Sequence, residues 1–320
     1  MSNSSDNFAP VIVIGGPTAS GKSNLALALA ERLDGIVINA DAIQVYRDLR
    51  VLTARPSEAD ERRAAHRLYG FLDATEICSA GRWQALALAE IEAAVAAGKR
   101  AIVVGGSGLY LRTLTEGIAP IPDIPADIRA NVRARFAAIG NDEFYAELVT
   151  RDPAMAARLE TADGQRLMRA REVIETTGRS LAQWQEDPVI APELNFTMIA
   201  LAPPRDEIYA ACDARLSAMV NDGALDEVAA LMKRAQSETL DPALPVLKAF
   251  GYPELAAYLS GNSSLEAAVA AAQQQTRRYA KRQMTWFRHQ LADGARAARS
   301  NIRLLKYSYI NEPKIFSHIS

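Results

Sequence analysis

Residues Gly16-Pro17-Thr18-Ala19-Ser20-Gly21-Lys22-Ser23 form a complete G-x-x-x-x-G-K-[ST] phosphate loop. It directly follows the apolar run Val11-Ile12-Val13-Ile14 and directly precedes a helical pattern over residues 24–33. Such a loop constrains the fold strongly, because its chemistry needs three elements at one point. A strand delivers the loop, glycines let backbone N–H groups curl around phosphate oxygens, and a helix N-terminus adds partial positive charge. Lys22 then supplies a point charge and the Ser23 hydroxyl a ligand for Mg²⁺. All eight residues are candidates for binding a diphosphate or polyphosphate. Nucleotide-binding and ATP-binding proteins use the same loop, so alone it leaves kinases, nucleotide hydrolases and other phosphate-handling transferases open.

Around the loop, short β-like runs at residues 11–15, 36–39, 100–104 and 197–201 alternate with alanine-rich stretches of helical period such as 83–97. That alternation predicts an α/β fold with a parallel sheet, to which residues 66–73 could add a strand. The stretch Pro120-Ile121-Pro122-Asp123-Ile124-Pro125 cannot continue a helix. After it comes a charged, mostly helical block from residue 126 to about 185, closed by Asp187-Pro188 and Ala191-Pro192. The expectation is a phosphate-loop core of parallel strands flanked by helices, residues 1–122 and 190–320, with a mostly helical insertion at 123–189. Further helices are predicted at about 205–220, 225–235 and 265–290, whereas the tail from Arg303 carries no readable signal.

With 320 residues, 49% of them hydrophobic, the chain can bury a core of this size. Cys78 and Cys212 sit far apart without C-x-x-C spacing and indicate neither a zinc site nor a disulfide framework, which fits a reducing cytoplasm. Residues 1–10 lack the basic start and apolar stretch of a signal peptide, and no run approaches membrane-spanning length, so no membrane association is expected. A net charge of −2 argues against indiscriminate nucleic-acid binding. Charge is nevertheless local, since Arg277, Arg278, Lys281, Arg282 and Arg288 cluster with no acid between them.

Five constellations narrow the choice of chemistry. Asp41 follows the second strand, at the carboxyl edge where open α/β sheets bind ligands, and its carboxylate can take a proton or simply cap the next turn. Gly105-Gly106-Ser107-Gly108 ends a later strand and offers a hydroxyl where backbone can approach closely. Gln165 and Arg169 stand one turn apart beside Arg166, a face able to grip phosphates or base edges, or to remain a solvated salt-bridged surface. Arg215 is the type of residue that clamps a leaving diphosphate bidentately. Finally, Thr276-Arg277-Arg278-Tyr279-Ala280-Lys281-Arg282-Gln283-Met284-Thr285-Trp286-Phe287-Arg288 interleaves cations with aromatics on a long helix, cations outward and Trp286 and Phe287 mostly in the core.

Taken in order, the phosphate loop resembles a known set when joined to the motifs that follow it. These are Asp41-x-x-Gln44-Val45-Tyr46 with Thr53-Ala54-Arg55-Pro56, Gly105-Gly106-Ser107-Gly108-Leu109-Tyr110, Gln165-Arg166-Leu167-x-Arg169, Gly251-Tyr252-x-Glu254, and Tyr279-Ala280-Lys281-Arg282-Gln283-x-Thr285-Trp286. The ordered set, from about Val11 to Arg288, resembles the tRNA dimethylallyltransferase family of bacterial type. The resemblance implies transfer of a dimethylallyl group from dimethylallyl diphosphate to N6 of adenosine 37, beside the anticodon of tRNAs that read codons beginning with U. It implies Mg²⁺ as cofactor, a tRNA anticodon stem-loop as partner, a cytoplasmic protein and a monomer. Carried over by position, Asp41, Ser107 and Arg215 are catalytic. Asp41, Ala42, Ile43, Gln44, Ser107, Arg129, Gln165, Arg166, Leu167, Met168, Arg169, Arg277, Lys281 and Arg282 contact tRNA. Two positions depart from the usual pattern, Ser107 and Ser23 standing where Thr is common. Both keep the hydroxyl and give up some χ1 stiffness. A nucleoside or small-molecule kinase and a non-catalytic RNA-binding ATPase are the competing readings.

Overall fold

The computed structural model describes residues 10–189, 191–292, 302–308, 310 and 312–319. The segment inspected for a leader therefore lies, for residues 1–9, outside the described residues. Among the described residues no helix is long and apolar enough to cross a membrane.

Apolar runs rich in Val and Ile become strands with both faces buried, as parallel sheets covered by helices require. In chain order the elements of the core are β1 (Val11–Gly15), α1 (Lys22–Leu33), β2 (Gly35–Asn39), α2 (Glu58–Arg63), β3 (Ala65–Arg67), α3 (Ala80–Ala96), β4 (Arg100–Gly105) and α4 (Gly108–Glu116). A helical block follows, α5 (Ala126–Arg151), α6 (Pro153–Ala156), α7 (Gly164–Thr177) and α8 (Leu181–Trp184). The core resumes with β5 (Phe196–Leu201), α9 (Arg205–Asn221), α10 (Ala224–Ser237), a 3₁₀ turn Pro245–Lys248, α11 (Tyr252–Leu259), α12 (Leu265–Ala292), β6 (Ile302–Tyr307) and α13 (Glu312–Ile319).

The six strands run in the order β3-β2-β4-β1-β5-β6, and every pairing is parallel. The sheet predicted from the sequence is present, with two differences at its edges. Where a strand was expected at 66–73 only the three-residue β3 (Ala65–Arg67) forms, and the tail from Arg303, unread in sequence, supplies most of β6. Side chains alternate along β1, Val11 and Val13 packing with Trp83 and Ile91 of α3, Ile12 and Ile14 with Leu25 and Leu29 of α1. Opposite Gly15 in the register stands Gly105. The phosphate loop and the Gly-Gly-Ser-Gly turn therefore leave the sheet side by side, at the carboxyl edge where β1 is flanked by strands from two directions.

The chain divides into two compact units, Met1–Thr115 with Pro192–Ser320 and Glu116–Ala191. The second unit has its own core, in which Phe144, Leu148, Leu167 and Val173 are fully buried. Its long helix α5 breaks at Gly140, where φ is 73°. Asp163 caps α7 by accepting the Arg166 N–H at 3.2 Å, and Gly178 ends it at φ 67°.

Candidate active site

The phosphate loop turns on two left-handed residues, Ala19 at φ 62° and Gly21 at φ 81°, immediately before α1. A side chain at Gly16 would place Cβ 2.9 Å from the Ser20 Oγ and 3.0 Å from the Leu201 carbonyl oxygen, so the close turn requires glycine there. The Lys22 ammonium donates to the Pro17 carbonyl at 3.1 Å, which folds it back over the loop. Ser20 Oγ is buried and finds no partner among the described residues, an orphan polar atom inside the tight turn.

Beside the loop opens a cleft of about 360 Å³ lined by Lys22, Ser23, Arg55, Asp60, His66 and Arg215 among others. Asp60, its one carboxylate, already accepts the N–H and O–H of Ser57 at 3.0 and 2.7 Å. Burial pushes the Lys22 ammonium down to about 8; nearby Asp41 opposes this and Arg215 adds to it. Burial lowers the Arg55 and Arg215 guanidinium groups as well. Half-buried cations with few carboxylates around them form a site that an anion relieves. Arg215 Nη2 donates to Thr18 Oγ1, bringing this distant helix residue onto the loop.

Gln283 of α12 joins the two glycine turns. Its Oε1 accepts the Thr18 N–H at 2.8 Å and its Nε2 donates to the Gly106 carbonyl at 2.9 Å. Tyr279, one turn earlier, hydrogen-bonds Ser107 and Gln283 and stacks on Phe250 with centroids 4.4 Å apart. Burial, reinforced by Asp41, pushes its phenol up. Ser107 Oγ accepts the Ala42 N–H at 3.0 Å, tying the second turn to the Asp41 loop. Buried Asn39 orients that loop, accepting the Asp41 N–H at 2.8 Å and donating to the Asp41 and Leu68 carbonyls, each at 3.0 Å. Asp41 Oδ1 accepts the Ile43 and Gln44 N–H groups at 2.9 and 3.4 Å. Its other oxygen accepts no hydrogen bond from the described residues. The core thus gathers Asp41, Ser107, Arg215 and the phosphate loop around one sheet edge.

Other sequence candidates are placed less simply. The Gln44 amide donates to the Thr53 and Ala54 carbonyls at 2.8 and 2.9 Å, so only its Oε1 is available to a ligand. In the helical unit Gln165 and Arg166 are exposed, while Met168 and Arg169 are half-buried. Leu167 is corrected to a packing residue, because its side chain is completely buried in that unit's core. Arg169 lies 3.7 Å from Glu172, and Arg129 and Arg133 also act on that carboxylate. On α12, Arg277 is paired with Asp213 at 2.5 Å, whereas Lys281 and Arg282 are exposed, Arg282 lying 5.6 Å from the Tyr279 ring. Phe287 is buried and Trp286 half-buried, as the helical spacing predicted.

The sequence did not assign roles to Gln283, Tyr279 or Arg55. Gln283 has partners far along the chain, 177 positions away for Gly106, and no local pattern reports such a pair, while Arg55 bonds the nearby Tyr46 and Arg47 carbonyls, which carry no sequence signature. A polar residue at helical spacing between Ala280 and Phe287, on the helix face that packs inward, was the one available signal for Gln283.

The family model described as IPP transferase matches residues 44–290. A tRNA dimethylallyltransferase of Rhodospirillum centenum is 54% identical over 289 residues, 90% of this chain and 91% of the relative. One of Rhodospirillum rubrum is 52% identical over 96% of this chain and 94% of its own. Among solved structures, the tRNA isopentenylpyrophosphate transferase of Bacillus halodurans is 30% identical with a TM-score of 0.64, covering 98% of this chain and 94% of that one. A eukaryotic dimethylallyltransferase acting on tRNA is 26% identical with a TM-score of 0.77, covering 93% and 74%. With its phosphate loop, Asp41 loop and Ser107 turn at one sheet edge and most of its length matched, the chain belongs to the IPP transferase family, that of the tRNA dimethylallyltransferases.

Proposed function

We propose that the protein transfers a dimethylallyl group from dimethylallyl diphosphate to N6 of adenosine 37 in tRNAs reading codons that begin with U, releasing diphosphate. The observation that carries this reading is the Gln283 bridge. It locks the anion cradle to the turn bearing Ser107, and Ser107 in turn holds the Asp41 loop. The bond that breaks joins an allylic carbon to a diphosphate oxygen, so negative charge grows on the departing oxygens. Loop N–H groups, Lys22 and Arg215 are positioned to stabilise that charge. N6 is a weak nucleophile because its lone pair is delocalised into the ring, and Asp41 Oδ2 is placed to accept its proton as the C–N bond forms.

Among the described residues, no group of three or more His, Cys, Asp or Glu side chains gathers to hold a metal ion. The cleft nevertheless fits Mg²⁺, which takes few protein ligands and keeps its waters and the substrate's phosphate oxygens; Ser23 Oγ would be its protein ligand. When bound, the ion would neutralise charge on the diphosphate.

Adenosine 37 is stacked in its loop, and turning it out costs a few kcal/mol that RNA contacts must offset. Gln165, Arg166, Arg169 and Arg129, with Lys281 and Arg282 on α12, are the residues proposed for those contacts. Lys281→Ala is expected to weaken tRNA binding and reduce the salt slope of log K by about one unit. Titrations over a range of salt check this, and an unchanged slope removes Lys281 from the interface.

A pH dependence follows from Lys22. The charged form attracts the diphosphate, and free Lys22 loses its proton as pH rises through about 8. Hence kcat/KM for dimethylallyl diphosphate should fall above that pH, while kcat should fall only at higher pH, because the bound anion restores the proton affinity. Lys22→Arg keeps the charge throughout and should abolish the alkaline limb, at lower overall activity. A limb that persists in Lys22→Arg assigns it to another group.

Supplying unmodified tRNA, Mg²⁺ and labelled dimethylallyl diphosphate, with ATP and small acceptors run in parallel, tests the reading as a whole. Label in adenosine is expected. ATP hydrolysis or phosphorylation of an acceptor without prenylated adenosine would return the protein to the ATPase or kinase reading.

A further inference from the structure

The tight turn over residues 49–56 connects both halves of the core's site, and one distant carboxylate fastens it. Glu227, in the first turn of α10, accepts the N–H groups of Arg50 and Val51 on Oε1 at 2.9 and 2.7 Å and that of Leu52 on Oε2 at 3.0 Å. Successive N–H groups converging on one anion make a nest, here filled by the protein's own side chain. From this anchor the turn reaches two ways. The Thr53 and Ala54 carbonyls hold the Gln44 amide, which stands three residues from Asp41. Ala54, left-handed at φ 54°, turns Arg55 toward the cleft that Lys22 and Arg215 line. Arg55 Nη1 donates to the Tyr46 and Arg47 carbonyls at 3.1 and 3.3 Å, which fixes its guanidinium over Gly70, while its buried Nε has no partner among the described residues.

We propose that Glu227 is a positioning residue for prenyl transfer, setting through one backbone turn both the Gln44–Asp41 loop and the Arg55 guanidinium in the diphosphate cleft. The inference rests on the transferase reading above. Its negative charge matters, because an amide in its place keeps one good acceptor for three donors and puts its own N–H₂ against backbone N–H groups. Misplacing positioned groups by about 1 Å can lower rate by on the order of 10²-fold even far from the reacting atoms.

The test compares Glu227→Gln and the milder Glu227→Asp with the unmodified protein, with all rates expressed per folded molecule measured by calorimetry on the same sample. For Glu227→Gln, kcat should fall about 10-fold or more and KM should rise for both tRNA and dimethylallyl diphosphate. Glu227→Asp should fall between. In a Gln44→Ala background the effect of Glu227→Gln on tRNA kinetics should shrink, because the two act through one turn. Unchanged kinetics per folded molecule, or an effect fully additive with Gln44→Ala, would make Glu227 a stability residue only and overturn the proposal. If the unmodified protein makes no prenylated adenosine, the transferase reading fails instead, and the two failures are thus separate.

Discussion

Replacing Arg215 by Ala should lower kcat for dimethylallyl transfer by about 10²–10³, the usual effect of removing one donor aimed at developing negative charge. That corresponds to about 2.7–4 kcal/mol of barrier. The expectation rests on three features of its setting. Its guanidinium reaches the phosphate loop at Thr18 Oγ1, it lines the same cleft as Lys22, and burial lowers it against the opposing pull of Asp41. A fixed, partly buried cation of this kind gains most when charge appears on the departing oxygens, so the loss should fall on kcat more than on KM. Arg215→Lys should recover only part of the activity, since an ammonium cannot span Thr18 and a phosphate oxygen with a planar fork. Steady-state kinetics with each substrate varied decides the matter. A rise in KM at unchanged kcat would make Arg215 a ground-state binding residue.

The second large effect is expected at Asp41. Asp41→Asn should reduce kcat by about 10² or more while leaving tRNA affinity nearly intact. Asparagine preserves the Oδ1 acceptor that holds the Ile43 and Gln44 N–H groups, so the loop keeps its shape and the loss reports the missing proton acceptor. Asp41→Ala removes both roles and should lower stability as well, because those N–H groups lose their partner. Single-turnover transfer beside equilibrium tRNA binding separates the roles. Weakened tRNA binding with a normal transfer step would reassign Asp41 to recognition.

Which parts of this arrangement were legible in the sequence follows from the range of the forces involved. The phosphate loop is readable because its geometry is local: two glycines, a lysine and a hydroxyl at fixed spacing between a strand and a helix. Strands β1, β2, β4 and β5 are readable because burial on both faces demands a nearly continuous apolar run, rich in Val and Ile in the first three. Strand β6 is not, since it is an edge strand whose residues, among them Arg303 and Lys306, are mostly half-buried or exposed, which leaves no apolar run to notice. In the site, Asp41, Ser107 and Arg215 were found as residue types near strand ends or on a motif. Their connection was not, because Gln283 achieves it by contacts with backbone, and a backbone N–H or carbonyl has no sequence signature. Glu227 illustrates the same limit: beside Asp226 in a first helical turn it reads as ordinary complement to the helix dipole, yet its partners are three N–H groups some 175 positions away.

Competition on the unmodified protein tests most directly whether the loop holds a leaving group attached to carbon. Inorganic diphosphate should displace dimethylallyl diphosphate one for one in an equilibrium titration with Mg²⁺, should leave the binding of the tRNA anticodon stem-loop in place, and should bind more weakly to Arg215→Ala. Diphosphate that fails to displace dimethylallyl diphosphate, while ATP binds tightly in the same cleft, would contradict the account.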